Sequence, residues 1–201
     1  NNDVWLIETA RGVRQRFTSD PAREFQPIWS PDGSRLVFGS TRKGVVNLYE
    51  RPLSGAGPET LLLESSESKN ASDWSSDGRW VVFDSQSPTT ARDVWALPMD
   101  RDKKPIALAQ AAADEADARF SPDGRWVAYD SNESGRREIY VQPFPGPGSR
   151  SQISTGGGAL VQWHRDGKGL FYVDLGNRLM TVPVATNSPR VEPGTPSVLF
   201  S

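Results

Sequence analysis

Apolar and polar residues alternate along this chain in short runs broken by Gly, Pro, Asp and Ser, and no stretch carries the spacing of an amphipathic helix. Alternation with a period of two, rich in Val, Tyr, Trp and Leu, predicts strands. The runs also recur. "WSPDGSRLVFGS" (29–40) aligns with "WSSDGRWVVFDS" (74–85), "FSPDGRWVAYDS" (120–131) and "WHRDGKGLFYVD" (163–174), which sets the aromatic anchors Trp29, Trp74, Phe120 and Trp163 at spacings of 45, 46 and 43 residues. Each hairpin is followed by a third run ("VNLYERPL", "DVWALPM", "EIYVQPF", "RLMTVPV") and a fourth ("ETLLLE", "PIALAQ", "SRSQIS", "PSVLFS").

Four strands at this period match the blade of a β-propeller, because such a sheet must bury both faces against its neighbours. The expected fold is therefore an all-β propeller with blades at 19–64, 65–110, 111–154 and 155–201. Residues 1–18 hold only "VWLIET" and "RQRFT", the third and fourth strands of a repeat, and so predict a half blade. That half blade implies a shortened parent chain or an oligomer closed through the open edge by a second copy. The anchors are expected to fill the gaps between blades.

The hairpin turn has a local cause. Ser, Pro, Asp and Gly at successive positions suit a type I turn whose last residue has positive φ, which assigns that role to Gly33, Gly78, Gly124 and Gly167. Asp32, Asp77, Asp123 and Asp166 are then expected to bond their own turn backbone rather than to act in catalysis.

Charge narrows the function. The 23 basic and 25 acidic residues nearly cancel, so no global field draws the protein to nucleic acid or to an anionic membrane. The absence of Cys excludes disulfides, thiolate metal sites and cysteine nucleophiles, and a single histidine, His164, excludes a histidine-rich metal centre. No apolar run approaches a membrane span, no signal peptide is evident, and the first residue is Asn rather than Met, as in a processed or partial chain.

The "WSPDGxxLVFxS" core followed by "NLYERPL" or "EIYVQPF" resembles the WD-like repeat of TolB-type β-propellers over essentially the whole chain. It is most similar to the propellers at the C-terminal end of some bacterial Ser/Thr kinases and related sensor proteins, and related repeats occur in prolyl-oligopeptidase-type peptidases. The resemblance implies a bacterial, extracytoplasmic or periplasmic role in binding a protein or small ligand, and it implies no reaction. The chain carries no kinase lobe and no Gly-x-Ser-x-Gly elbow, and it has fewer repeats than the family's usual number.

Binding residues are expected on the longer loops, at the end of the blades opposite the SPDG turns. The candidates there are Glu24, Asn70, Asp114 and Glu115, with Arg42, Arg92 and Arg136 forming a basic rim beside Lys43 and Arg137. Asp73, Asp84, Asp117, Asp130 and Asp174 are candidate oxygen ligands for a divalent metal such as calcium. Binding of a protein or small ligand is the leading reading. A metal-dependent hydrolase of esters, lactones or phosphotriesters and an oligomerising fragment remain as alternatives. "GGG" at 156–158 lacks the strand-to-helix setting of a phosphate loop, and His164, at the turn end, is read as a partly exposed turn residue.

Overall fold

The computed structural model describes residues 2–55, 57–100, 102–146, 148–186 and 189–200. Every regular element among them is a β-strand. The chain divides after Ala71 into two compact units.

The first unit opens with the half blade, β1 (Trp5–Glu8) paired antiparallel with β2 (Val13–Arg16). A complete blade follows in the order β3 (Glu24–Trp29), β4 (Arg35–Lys43), β5 (Val45–Pro52) and β6 (Thr60–Leu63). Val4, Phe17, Leu36, Phe38 and Tyr49 form its core, with Leu6 of β1 packed against them. The alternation read in "RLVF" and "NLY" thus places Leu36, Phe38 and Tyr49 on the face turned toward the half blade.

The second blade comprises β7 (Lys69–Trp74), β8 (Trp80–Ser87), β9 (Ala91–Pro98) and β10 (Ile106–Ala109), the division between the units falling within β7. The third contains β11 (Glu115–Phe120), β12 (Trp126–Ser131), β13 (Glu138–Pro143) and β14 (Ser151–Gln152). In the fourth, β15 (Ala159–Trp163), β16 (Gly169–Val173) and β17 (Leu179–Ala185) are followed by β18 (Glu192–Pro193) and β19 (Ser197–Phe200), both paired with β17. Two apolar layers run through this unit. One joins Val82, Val94 and Ala96 to Phe120, Val127 and Tyr129; the other joins Ala128, Ile139 and Val141 to Val161, Leu170 and Val182.

The turns are built as their residues require. Gly33, Gly78, Gly124 and Gly167 have φ between 67° and 74°, and each amide donates to the carbonyl three residues before it. Asp32 Oδ1 accepts the Ser34 amide at 3.0 Å and the Ser30 hydroxyl at 2.6 Å. Those bonds hold the Asp32 carboxyl down to about 2, the Ser30 hydroxyl being the main cause. Asp77 is brought to about 2 against its own desolvation, by the Ser75 hydroxyl and the amide and side chain of Arg79.

One expectation about the anchors is corrected. Trp74 and Phe120 are buried, but Trp29 is 54% exposed. Trp163 meets the preceding blade through its indole, whose Nε1 donates to the carbonyl of Arg119 on that blade's first strand, at 3.1 Å. Ahead of Trp29 stand only β1 and β2, which correspond to third and fourth strands, so no equivalent first strand is present among the described residues to receive its indole.

A second regularity was not visible in the sequence. Three first strands carry a bulge, with register shifts in β3, β11 and β15. The residue three before each anchor has positive φ: Gln26 at 44°, Asp117 at 54° and Leu160 at 55°. A bulge bends its strand and re-aims the side chain it carries.

Candidate functional site

The loop end of the second unit gathers several of the predicted residues into one chain of ion pairs. Arg92, at the start of β9, donates from Nε and Nη2 to the two oxygens of Asp114 at 2.7 and 2.8 Å. Asp114 also accepts from Arg137, which lies just before β13, and Arg137 in turn donates to Asp130 at the end of β12. Asp130 finally accepts the Leu160 amide of β15 at 3.4 Å. Three successive blades are thereby tied together by side chains.

Burial sets the electrostatics of this chain. The Asp130 side chain is essentially inaccessible, and desolvation pushes its carboxyl up to about 6, with Arg137 pulling the other way. Asp114 is drawn below the usual carboxylate range, chiefly by its bonds from Arg92, which rises in turn. The basic rim is therefore not a free ring of cations. Arg92 and Arg137 are committed to carboxylates, while Arg136 projects, 3.9 Å from Glu138.

The remaining candidates are distributed by their own local partners. In the first unit, Glu24 is buried, accepts the Thr18 hydroxyl at 3.0 Å and lies 3.5 Å from Arg42. The Arg42 guanidinium stacks 4.2 Å from the Tyr49 ring centroid and binds Glu59 at 2.5 Å. Asn70 is half-buried on β7. Glu115 is fully buried at the start of β11, and both its oxygens face the Ala111 amide, at 3.1 and 3.3 Å.

The five candidate metal ligands do not converge. Asp73 lies at the turn end, not the loop end, and accepts the Phe120 amide at 2.8 Å. Asp84 is buried within β8. Asp117 sits in the β11 bulge, Asp130 is held by Arg137, and Asp174 caps its own turn by accepting the Gly176 and Arg178 amides at 2.9 Å. Among the described residues no three His, Cys, Asp or Glu side chains group so as to hold an ion.

Two features escaped sequence reasoning. At the turn end a cleft of about 250 Å³ is lined by Asp73, Trp74, Arg119, Phe120, Trp163 and His164. Its signal in the sequence was the position just before each anchor, where Asp73, Arg119 and Gln162 vary while the anchors repeat. At the loop end the Gly-rich stretch binds an anion of the chain's own: Gly157 donates its amide to the Glu138 carboxylate at 2.9 and 3.0 Å, and the Ser154 hydroxyl adds a bond at 2.5 Å. His164 faces neither a substrate-sized cavity of the loop end nor Asp166; its Nε2 lies 2.9 Å from the Thr181 hydroxyl.

Blades of this construction define the TolB-like β-propeller fold, and comparison with solved structures agrees. TolB from Acinetobacter baumannii superposes on 98% of this chain with a TM-score of 0.78 at 20% identity, and the match takes in 48% of that chain. A chain of the nidogen/laminin complex superposes on 100% of it with a TM-score of 0.74 at 11% identity, covering 75% of that chain. In sequence, the tricorn protease homolog 1 of Streptomyces coelicolor is 30% identical over 101 residues, which is 49% of this chain and 10% of that protein. No protein-family model matches the chain. The chain thus spans about half of TolB and a small part of the tricorn homologue, and among the described residues no helix is long and apolar enough to cross a membrane.

Proposed function

We propose that this chain is a propeller binding module whose loop end, in the second unit, receives a protein partner. The observation that carries this reading is the Arg92–Asp114–Arg137–Asp130 chain. It fixes the loops of three blades before any partner arrives, while the two arginines and Asp114 keep a quarter to a third of their side-chain surface open. A surface ordered in advance loses little conformational freedom on association, so more of its contact energy appears as affinity. Propellers also form part of protein complexes in neighbours of this fold, such as the nidogen/laminin pair. Three of the five carboxylates proposed for a metal, Asp73, Asp130 and Asp174, are spent on separate internal partners.

The test is a photo-reactive residue at the exposed position 136, cross-linked in extracts of a bacterial cell envelope and cytosol, followed by titration of the captured protein in purified form. One saturable partner is expected, with affinity reduced at least tenfold by Arg137→Ala. No saturable partner, or turnover of a panel of esters and lactones, would overturn the reading.

A further inference from the structure

Beside the ion-pair chain the fold leaves two leucines of the fourth blade open. Leu160 is 60% exposed and Leu175 is 67% exposed. Leu175 lies over Gly157, where an added Cβ would stand 2.3 Å from its Cγ, and the Leu160 amide reaches Asp130. Two large aliphatic side chains at one end of a blade, rimmed by charged groups, have the character of an interaction site.

The strand geometry presents Leu160 rather than merely failing to bury it. Its φ of 55° is a conformation that costs a leucine energy, and it is shared with Asp117 at the same repeat position on the adjacent strand β11. Regular alternation would turn these side chains along the sheet faces; the bulges redirect them.

Charge identifies the occupant. Asp114, Asp130 and Asp174 each have strong partners, in Arg92, Arg137 and Arg178. Asp117 makes no hydrogen bond or ion pair among the described residues, although its charge acts on both Asp130 and Arg92. The charges of Asp84, Asp114 and Asp117 act on Arg92 and that of Asp117 also on Asp130, so along this end four separate carboxyls stand against the guanidinium groups of Arg92 and Arg137. An anionic ligand is therefore disfavoured at this place, and a cation is favoured.

We propose that Asp117, Leu160 and Leu175 form the docking surface for a basic segment of a partner protein, with a lysine or arginine on Asp117 and a neighbouring aliphatic side chain on the two leucines. This rests on the binding-module reading and names the chemistry of its partner.

The probe is a fluorescein-labelled nine-residue peptide of alternating lysine and leucine, titrated by anisotropy. Two control peptides replace every lysine by glutamate or every leucine by serine. Asp117→Asn is the informative variant, because asparagine adopts positive φ readily and removes only the charge. Saturable binding of the lysine–leucine peptide, weakened at least tenfold by Asp117→Asn, by Leu160→Ser and in either control peptide, is the expected result. Should Leu160→Ser fail to fold, Leu175→Ser takes its place. Binding that is absent, or unchanged in Asp117→Asn, overturns the proposal. A protein captured at position 136 whose affinity ignores Asp117→Asn and Leu175→Ser overturns this docking chemistry and leaves the binding module standing; the absence of any captured protein removes both.

Discussion

The imidazole of His164 occupies the space that a side chain on Gly169 would need: a Cβ built there falls 2.6 Å from both Cε1 and Nδ1 of the ring. In the other blades the corresponding residues are Ser30 with Arg35, Ser75 with Trp80, and Ser121 with Trp126. There the serine hydroxyl bonds the turn aspartate and the amide five residues on, as in Ser75 with Asp77 at 2.6 Å and the Trp80 amide at 2.9 Å. His164 is too large for that arrangement. It turns instead onto Phe171, with ring centroids 4.0 Å apart, and bonds Thr181. Gly169 is the complementary change, required for space rather than for backbone freedom.

Gly169→Ala should therefore destabilise the protein by about 1–3 kcal/mol, the usual cost of overpacking. The same substitution in a His164→Ser background should cost far less, because the clash is gone. Urea unfolding of the four proteins measures the coupling. Equal costs in both backgrounds would show that the ring is not what Gly169 accommodates.

Glu115 makes stability depend on pH. Its carboxyl is pushed up to about 7, first by burial and then by the charges of Asp93 and Glu133, against the Ala111 amide and Arg150. The equivalent junction one blade earlier has Lys69, which donates to Asn47 at 3.1 Å, where this one sets Glu115 near Asp93. A raised carboxyl pKa means that the folded state holds a proton the unfolded chain has released. Stability from this group is thus fully present below the ordinary glutamate value and is lost as pH rises through about 7. Melting temperature should fall between pH 5 and 7.5 by an amount worth on the order of 1–3 kcal/mol, and Glu115→Gln should flatten much of that slope. A slope that persists unchanged in Glu115→Gln would assign it to other groups, Asp130 first among them.

The parts of the fold legible in the sequence were those decided by neighbours in the chain. The Ser-Pro-Asp-Gly turns, the strand alternation and the half blade all appear where the residues put them. The site was legible only in composition. Arg92 and Asp114 were both candidates, but their pairing joins residues 22 apart, and Arg137, the link to Asp130, is set by the register of β12 and β13. Asp73 follows a long loop in sequence, but at the far end of β7 it stands at the turn end. The bulges that re-aim Leu160 and Asp117 leave no local mark, since neither residue type favours positive φ as glycine does.

Gly124→Val tests the turn assignment itself. With φ at 70° and no atom within 4 Å of an added Cβ, the cost is purely conformational. A loss of about 1–3 kcal/mol is expected, and an unchanged melting temperature would show that the turn tolerates a branched residue by moving.

Arg137→Ala removes the link between Asp114 and Asp130 and strands the more deeply buried of the two. Asp130 keeps only the long bond from the Leu160 amide, so its charge loses the partner that made burial tolerable. A cost of about 2–4 kcal/mol at pH 8 is expected, somewhat below that of a wholly buried pair because Arg137 itself is partly exposed. Arg79→Ala, which breaks an exposed pair with Asp77, should by contrast cost about 0–1 kcal/mol. The sign of the pH dependence separates electrostatics from lost packing. Arg137 lowers the Asp130 pKa, so without it the carboxyl rises above 6 and is neutral at pH 5. The Arg137→Ala penalty should accordingly shrink on going from pH 8 to pH 5, whereas a penalty that stays constant would mean that Arg137 acts through its packed aliphatic stem.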